Sequence, residues 1–156
     1  MFIEQVVIEN KIRYKVRLGD LGDLTIRQSA KVFGKYDIRN TWSSPELLHD
    51  CNLAFTNRTI SLDIYSYGML LWELFSNVVP FGDKIDAAKQ FVVEKNFRPK
   101  IKYQSSDITK GDNDSEAHAI PEEIAEIIKK CWNKEPNSRP LCMTDISETL
   151  KFINYD

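Results

Sequence analysis

The sequence predicts an α+β fold, mainly α, with a short N-terminal β-hairpin followed by a helical body. Within the strand-like first nineteen residues, Ile12 to Leu18 alternate apolar and charged side chains with a period of two, whereas the segments after Pro45 repeat apolar residues every three or four positions. Hydrophobic residues make up 42% and charged residues 28% of 156, the balance of a chain that buries a core rather than a disordered or repetitive one. Lys and Arg number 21 against 23 Asp and Glu. A net charge of −2 gives no broad basic face, so no nucleic-acid partner is expected and any phosphate binding must be local.

Each element can be justified in order. Ile12, Tyr14, Val16 and Leu18 alternate with Arg13, Lys15 and Arg17, a half-buried strand pattern, and Phe2 to Ile8 upstream is also β-rich. Glu9-Asn10-Lys11 is the expected turn. A hairpin is not stable alone in water and needs a surface to lie on. From Asp20 to Thr41 periodicity is lost and the composition is polar, which reads as a long ordered or switchable loop. Pro45 then suits the first position of a short helix over Glu46 to His49. Over Leu62 to Ser76, Ile64, Tyr67, Leu70, Leu71, Leu74 and Phe75 recur at helical spacing, and Tyr65, Met69 and Trp72 occupy the other faces. Such a helix is expected to be enclosed as a central post, ended by Pro80. A weaker helix is expected over Lys84 to Glu94, with Ile85, Ala88 and Val92 on one side.

Residues 104–119 have the composition of a polar surface insertion. Pro121 opens a further helix with Glu122 and Glu123 in its first turn and Lys129, Lys130 and Lys134 towards its end, both favourable to the helix dipole. Its stripe is Ile124, Ile127, Ile128 and Cys131, with Trp132 beside it. A last helix, Met143 to Asn154, is expected to bury Met143, Ile146, Leu150 and Ile153. Cys51, Cys131 and Cys142 form no CxxC pair and only His49 and His118 accompany them, so neither structural zinc nor a disulfide framework is expected. No signal peptide and no membrane span is visible, and the most apolar run, Met69 to Phe75, contains Glu73. The expected location is cytoplasmic.

Asp20-Leu21-Gly22 on its own is a turn sequence. In order after it come Ser44-Pro45-Glu46, then DIYSYGMLLWELFSNVVPF from Asp63, then EKNFRPKI, then CWNKEPNSRP from Cys131. Together these resemble the second half of a eukaryotic protein kinase catalytic domain of the tyrosine-kinase or tyrosine-kinase-like branch, over essentially the whole chain. RLGDLG resembles the strand and D-F-G metal motif, and TWSSPELL the W-x-A-P-E that closes the activation segment. The resemblance implies a partial kinase domain over residues 1–156: a hairpin over 1–19, an activation segment over 20–46, and a helical large lobe over 47–156 with the polar insertion.

Site roles follow from the resemblance alone. Asp20 would bind the Mg²⁺ that bridges the ATP phosphates, with Leu21 packing where the family has Phe. Glu46 would pair with Arg139 as a structural clamp. Asp63 would hold the catalytic loop by backbone hydrogen bonds, although a generic helix N-cap would look the same. Ser29, Tyr36 and Thr41 are candidate phosphosites in the activation segment, able to meet cations such as Arg17 or Arg39, and equally readable as plain loop residues. Arg39 stands where serine/threonine kinases usually carry Thr, so substrate class is unreadable. Trp72, Cys131 and Trp132 are core residues on either reading, and no catalytic residue is assigned within the chain.

Phosphoryl transfer needs a glycine-rich cover, a strand lysine, a catalytic Asp and an Asn for the second metal. No G-x-G-x-x-G and no H-R-D-x-x-x-x-N occurs in the sequence. MFIE resembles the residues that follow that Asn, which puts the catalytic loop immediately upstream of Met1. The chain alone is therefore expected to bind neither Mg²⁺ nor ATP and to be inactive. Its parent would transfer the ATP γ-phosphate to a protein hydroxyl. The alternative is a non-catalytic pseudokinase or kinase-homology interaction module, and an unrelated helical domain is the plain third reading. On either kinase reading the expected partner is the missing N-terminal portion, or a protein covering an exposed apolar face of the central helix.

Overall fold

The computed structural model describes residues 2–8, 11–17, 41–50, 59–82, 90–103 and 118–151. The chain divides into two compact units, Met1–Tyr36 and Asp37–Asp156. In the first, β1 (Phe2–Ile8) and β2 (Lys11–Arg17) pair antiparallel, from Phe2 opposite Arg17 to Ile8 opposite Lys11. Lys11 is thus the first residue of its strand and not the last of a turn.

The second unit is helical. Helix α1 (Pro45–His49) starts with Pro at its first position, where the missing N–H would have no intrahelical partner, and the first helical bond runs from Leu48 N to Ser44 O at 2.9 Å. Helix α2 (Ile60–Ser76) begins two residues before the apolar periodicity does. It stops because Asn77 turns left-handed, with φ 58°, and donates its N–H to Glu73 O at 2.8 Å. Asn tolerates that conformation better than most side chains. The end is therefore a cap at Asn77, and Pro80 lies beyond it. Of the helix expected over 84–94, the described part, Gln90–Glu94, is a π-helical turn, and residues 83–89 lie outside the described residues.

Helix α3 (Glu122–Cys131) is preceded by Pro121, whose carbonyl accepts the Ala125 N–H at 2.9 Å. Its acidic first turn and basic last turn both favour the helix dipole. A 3₁₀ turn, Pro136–Ser138, leads to α4 (Met143–Lys151). Met143 is exposed, contrary to its expected burial, because it stands at the open first position of the helix, whereas Ile146, one turn further on the same face, is buried. Ile153 and the polar insertion over 104–117 lie outside the described residues. The ends of that insertion are drawn together by a parallel bridge between Tyr103 and Ile120, closed by Ile120 N to Lys102 O at 2.7 Å.

The core forms where α2 crosses α3. Ile64, Tyr65, Met69 and Trp72 of α2 pack with Ile124, Ile128, Cys131 and Trp132, and Leu48, Val92, Ile120 and Ile146 join them. Burial also follows Gly68, because α2 and α3 approach there more closely than a side chain permits. A Cβ on Gly68 would lie 2.7 Å from Cys131 Cβ and 3.2 Å from Trp132 N. Helix α2 is not covered on every side, since Leu74 is 62% exposed and Ile60 48% exposed. These residues, with half-buried Tyr67 and Leu70, fall on one side of the helix at spacings of three, four and seven.

The close approach yields a direct prediction. Gly68→Ala should destabilise the chain by about 1–3 kcal/mol, since overpacking outweighs the ~1 kcal/mol that Ala gains over Gly in a helix. Urea unfolding of the two proteins measures the difference. An equal or higher midpoint for the variant would show that the helices separate at little cost.

Candidate functional site

The structure brings Glu46 and Arg139 together. Arg139 reaches from the turn after the 3₁₀ segment, donating from Nη1 to Glu46 Oε1 at 2.6 Å and from Nη2 to Glu46 Oε2 at 3.0 Å. A planar guanidinium meeting a carboxylate in a two-bond fork is the strongest geometry available to this pair. Nε donates to Asn133 O at 2.8 Å, Nη2 to Lys134 O at 3.2 Å, and Nη1 to Ser61 O at 2.9 Å. Ser61 Oγ in turn donates to Pro136 O at 3.2 Å. The Arg139 side chain is fully buried and Glu46 retains 23% exposure.

Tyr65 lies at the centre of this cluster. The Cζ atoms of Arg98 and Arg139 stand 5.1 and 5.0 Å from its ring centroid, within cation–π range. Arg98 donates from Nε to Trp132 O at 3.0 Å and from Nη1 to Phe97 O at 2.9 Å. Among the described residues, its Nη2 and the Tyr65 hydroxyl are buried without a hydrogen-bond partner. Burial pushes the Tyr65 phenol up to about 12, against the opposing pull of the two guanidiniums. Burial likewise lowers the Arg98 pKa from its ordinary value, and the Cys131 thiol is pushed up to about 11 by the same cause. A thiol held protonated in the core is not a nucleophile.

The same unit holds the end of the predicted activation segment by a second contact. Trp42 Nε1 donates to Glu73 Oε2 of α2 at 2.6 Å. Thr41, Ser43 and Ser44 beside it are buried, and among the described residues the hydroxyls of Thr41 and Ser44 have no partner. Asp63 sits exposed in the first turn of α2, four residues after the cap position, which Thr59 occupies, so the generic N-cap reading does not apply. Asp20, Ser29 and Tyr36 lie outside the described residues. Among the described residues no three His, Cys, Asp or Glu side chains converge to hold a metal ion, and no helix is long and apolar enough to cross a membrane.

Tyr65, Arg98 and the Trp42–Glu73 bond are contributions that motif reading misses. Tyr65 reads as one more aromatic at helical spacing. For Arg98 the available signal is an Arg directly before Pro in an otherwise exposed stretch.

A helical unit is thus closed by a buried, forked ion pair between a Pro-Glu helix start and an Arg-Pro turn, with Trp42 bonded to its central helix. The family described as protein tyrosine and serine/threonine kinase matches residues 4–150. The chain belongs to this family. It is 35% identical over 110 residues to platelet-derived growth factor receptor alpha of Takifugu rubripes, covering 70% of this chain and 8% of that protein. It is 33% identical over 109 residues to cyclic GMP-binding protein C of Dictyostelium discoideum, covering 70% and 4%. Over 131 residues it is 28% identical to the serine/threonine/tyrosine-protein kinase HT1 of Arabidopsis thaliana, covering 81% and 27%. The chain therefore spans well under a third of the length of these relatives.

Two outcomes are expected from this geometry. Glu46→Gln leaves the buried Arg139 uncompensated and should cost about 3 kcal/mol or more, and Arg139→Lys, which cannot reproduce the fork, should shift the urea midpoint in the same direction. Tyr65→Phe removes a buried hydroxyl that has no partner, and should leave stability at neutral pH unchanged or raise it by up to about 1 kcal/mol.

The pH dependence carries a sign of its own. Tyr65 and Cys131 have folded pKa values raised above their ordinary 10.0 and 9.0, so the unfolded chain releases these protons first. Their contribution is intact below pH 9 and is lost as pH rises towards 12. Melting temperature followed across that window should fall, and Tyr65→Phe should flatten the part between pH 10 and 12 while leaving the Cys131 part in place.

Proposed function

We propose that this chain is the large-lobe part of a protein kinase catalytic domain and that its parent transfers the ATP γ-phosphate to a protein hydroxyl. The observation that carries this reading is the family match over residues 4–150, with the phosphotransfer motif at Asp20 and the clamp residues Glu46 and Arg139 in family order. Bound Mg²⁺–ATP would supply the phosphoryl group and the charge neutralisation, and Asp20 offers the hard carboxylate oxygen such a cation takes. The role of the remaining residues is positioning: a rigid α2, a clamped α1 and a pinned Trp42 hold the end of the activation segment where a substrate would lie.

The glycine-rich cover, the strand lysine and the catalytic Asp and Asn would come from elsewhere in the parent, in keeping with the small share of each relative that this chain spans. On this reading the stripe of Ile60, Tyr67, Leu70 and Leu74 on α2 receives that remaining portion, and the parent works in the cytoplasm. The 156 residues alone would bind neither Mg²⁺ nor ATP and would transfer no phosphate.

A chimera tests the proposal. Residues 1–156 replace the matching stretch of an active kinase domain, and phosphorylation of a generic protein acceptor is measured. Transfer that Asp20→Asn abolishes is the expected outcome, with none from the isolated chain. A folded chimera without activity would favour the non-catalytic interaction module, and Asp20-dependent transfer by the isolated chain would overturn the assignment of the missing parts.

A further inference from the structure

The clamp occupies the N-terminal end of α2. Beyond the C-terminal end of the same helix the chain builds a second feature that the phosphotransfer motifs leave unused. Phe81, Phe91 and Phe97 form a triangle of rings, with centroids 6.1 Å apart for Phe81 and Phe91, 5.8 Å for Phe91 and Phe97, and 6.3 Å for Phe81 and Phe97. The triangle is not core. Phe97 is 50% exposed, Val79 in the adjoining turn is 47% exposed, and Phe81 and Phe91 are half-buried.

The backbone under this triangle is held in uncommon conformations. Phe81 and Asn96 have φ of 60° and 49°, and Phe91 lies in the π-helical turn Gln90–Glu94. A phenylalanine in the left-handed region persists only where its surroundings over-determine it, and π-helical turns concentrate at functional sites. Here the holding contacts are Gly82 N to Val79 O at 3.1 Å and Phe97 N to Phe91 O at 2.8 Å. The result is an apolar knob kept at the surface by its own framework.

Among the described residues, the segment that follows Phe91 is rich in cations. Lys95 Nζ stands 5.4 Å from the Phe91 centroid. Residues 95–102, KNFRPKIK, carry Lys95, Arg98, Lys100 and Lys102 with no acidic residue, in a chain whose anions outnumber its cations by 23 to 21. Arg98 is turned inward to Trp132 O, while Lys95 and Lys100 are exposed, and Glu94 is the exposed anion at the border. Ring edges carry the positive part of the aromatic quadrupole, so edges and ammonium groups favour the same partner charge.

We propose that this triangle is a docking surface for an acidic peptide segment of a partner protein, seated by one aromatic or aliphatic side chain against Phe97 and Val79 and by carboxylates towards Lys95 and Lys100. A nucleic acid fits less well. Base stacking needs an open ring face, and Phe81 and Phe91 are stacked on each other with 10° between their planes. The net charge of −2 also opposes accumulation on a polyanion.

The test is a display selection of twelve-residue peptides on the 156-residue chain, with counter-selection on Phe97→Ser. Lys95→Glu is the second variant. Both positions are exposed, and an unchanged melting temperature establishes that each variant is folded. Survivors rich in Asp and Glu around one apolar residue, bound about tenfold more weakly by each variant and more weakly in added salt, are the expected result. The proposal is overturned if no peptide survives, if survivors lack acidic residues, or if both variants bind them as well as the parent chain does. It is equally overturned if poly-uridine RNA or phosphatidylserine vesicles bind in a Phe97-dependent way and acidic peptides do not.

Discussion

The arrangement of this lobe depends on one buried cation. Desolvating a guanidinium costs several kcal/mol, and the cost is met only where every donor finds an acceptor in place. Arg139 finds them on three separate stretches of chain: the carboxylate of Glu46 on α1, Ser61 at the start of α2, and the carbonyls of Asn133 and Lys134 after α3. None of these stretches can be displaced without stranding the charge. A well-packed apolar set of the same volume would stabilise as much, but it would not fix three elements at hydrogen-bond precision. The ion pair is accordingly better understood as setting relative position than as a net source of stability.

Helix α2 divides this labour along its length. Its N-terminal end is polar and held by Ser61 and the Arg139 network, and Tyr65 there accepts two guanidiniums at about the same distance, 5.1 and 5.0 Å. Its middle is apolar and held by contact, where Gly68 lets Cys131 approach closely. Trp72 carries the second function further by donating from Nε1 to Lys100 O at 3.2 Å, while Arg98 in the same segment reaches Trp132 O. Two side chains thus tie the stretch over 97–100 to opposite partners of the α2–α3 core. The same stretch carries Phe97 of the aromatic triangle, so that ring is anchored to the core through its neighbours.

Much of the helical body is legible in the sequence because its signals are local. Pro45, the acidic and basic ends of α3 and the apolar spacing of α2 each act within a turn or two. The failures are equally physical. The cap at Asn77 was masked by the more conspicuous Pro80, although a left-handed Asn ends a helix without needing proline. Periodicity also ranked Leu74 with Ile64, since both fit a helical repeat, whereas packing against α3 selects the Ile64, Tyr65, Gly68 and Trp72 side. Contacts such as Trp42 with Glu73, 31 residues apart, leave no trace in spacing at all. The Glu46 and Arg139 motifs could be singled out by resemblance, but the role of Tyr65 between Arg98 and Arg139 belongs to geometry alone.

The two anchors at the end of the predicted activation segment impose a constraint on how such a segment could switch. Glu46 is joined to Arg139 and Trp42 to Glu73, and the residues between them are buried or half-buried. Moving this stretch would expose an uncompensated guanidinium at one end and break a short indole-to-carboxylate bond at the other. Loss of the first alone is worth about 3–5 kcal/mol, more than the ~1–3 kcal/mol by which a bound effector usually biases an equilibrium. The stretch from Trp42 to Glu46 is therefore held in one place by interactions that a rearrangement of it would have to give up together.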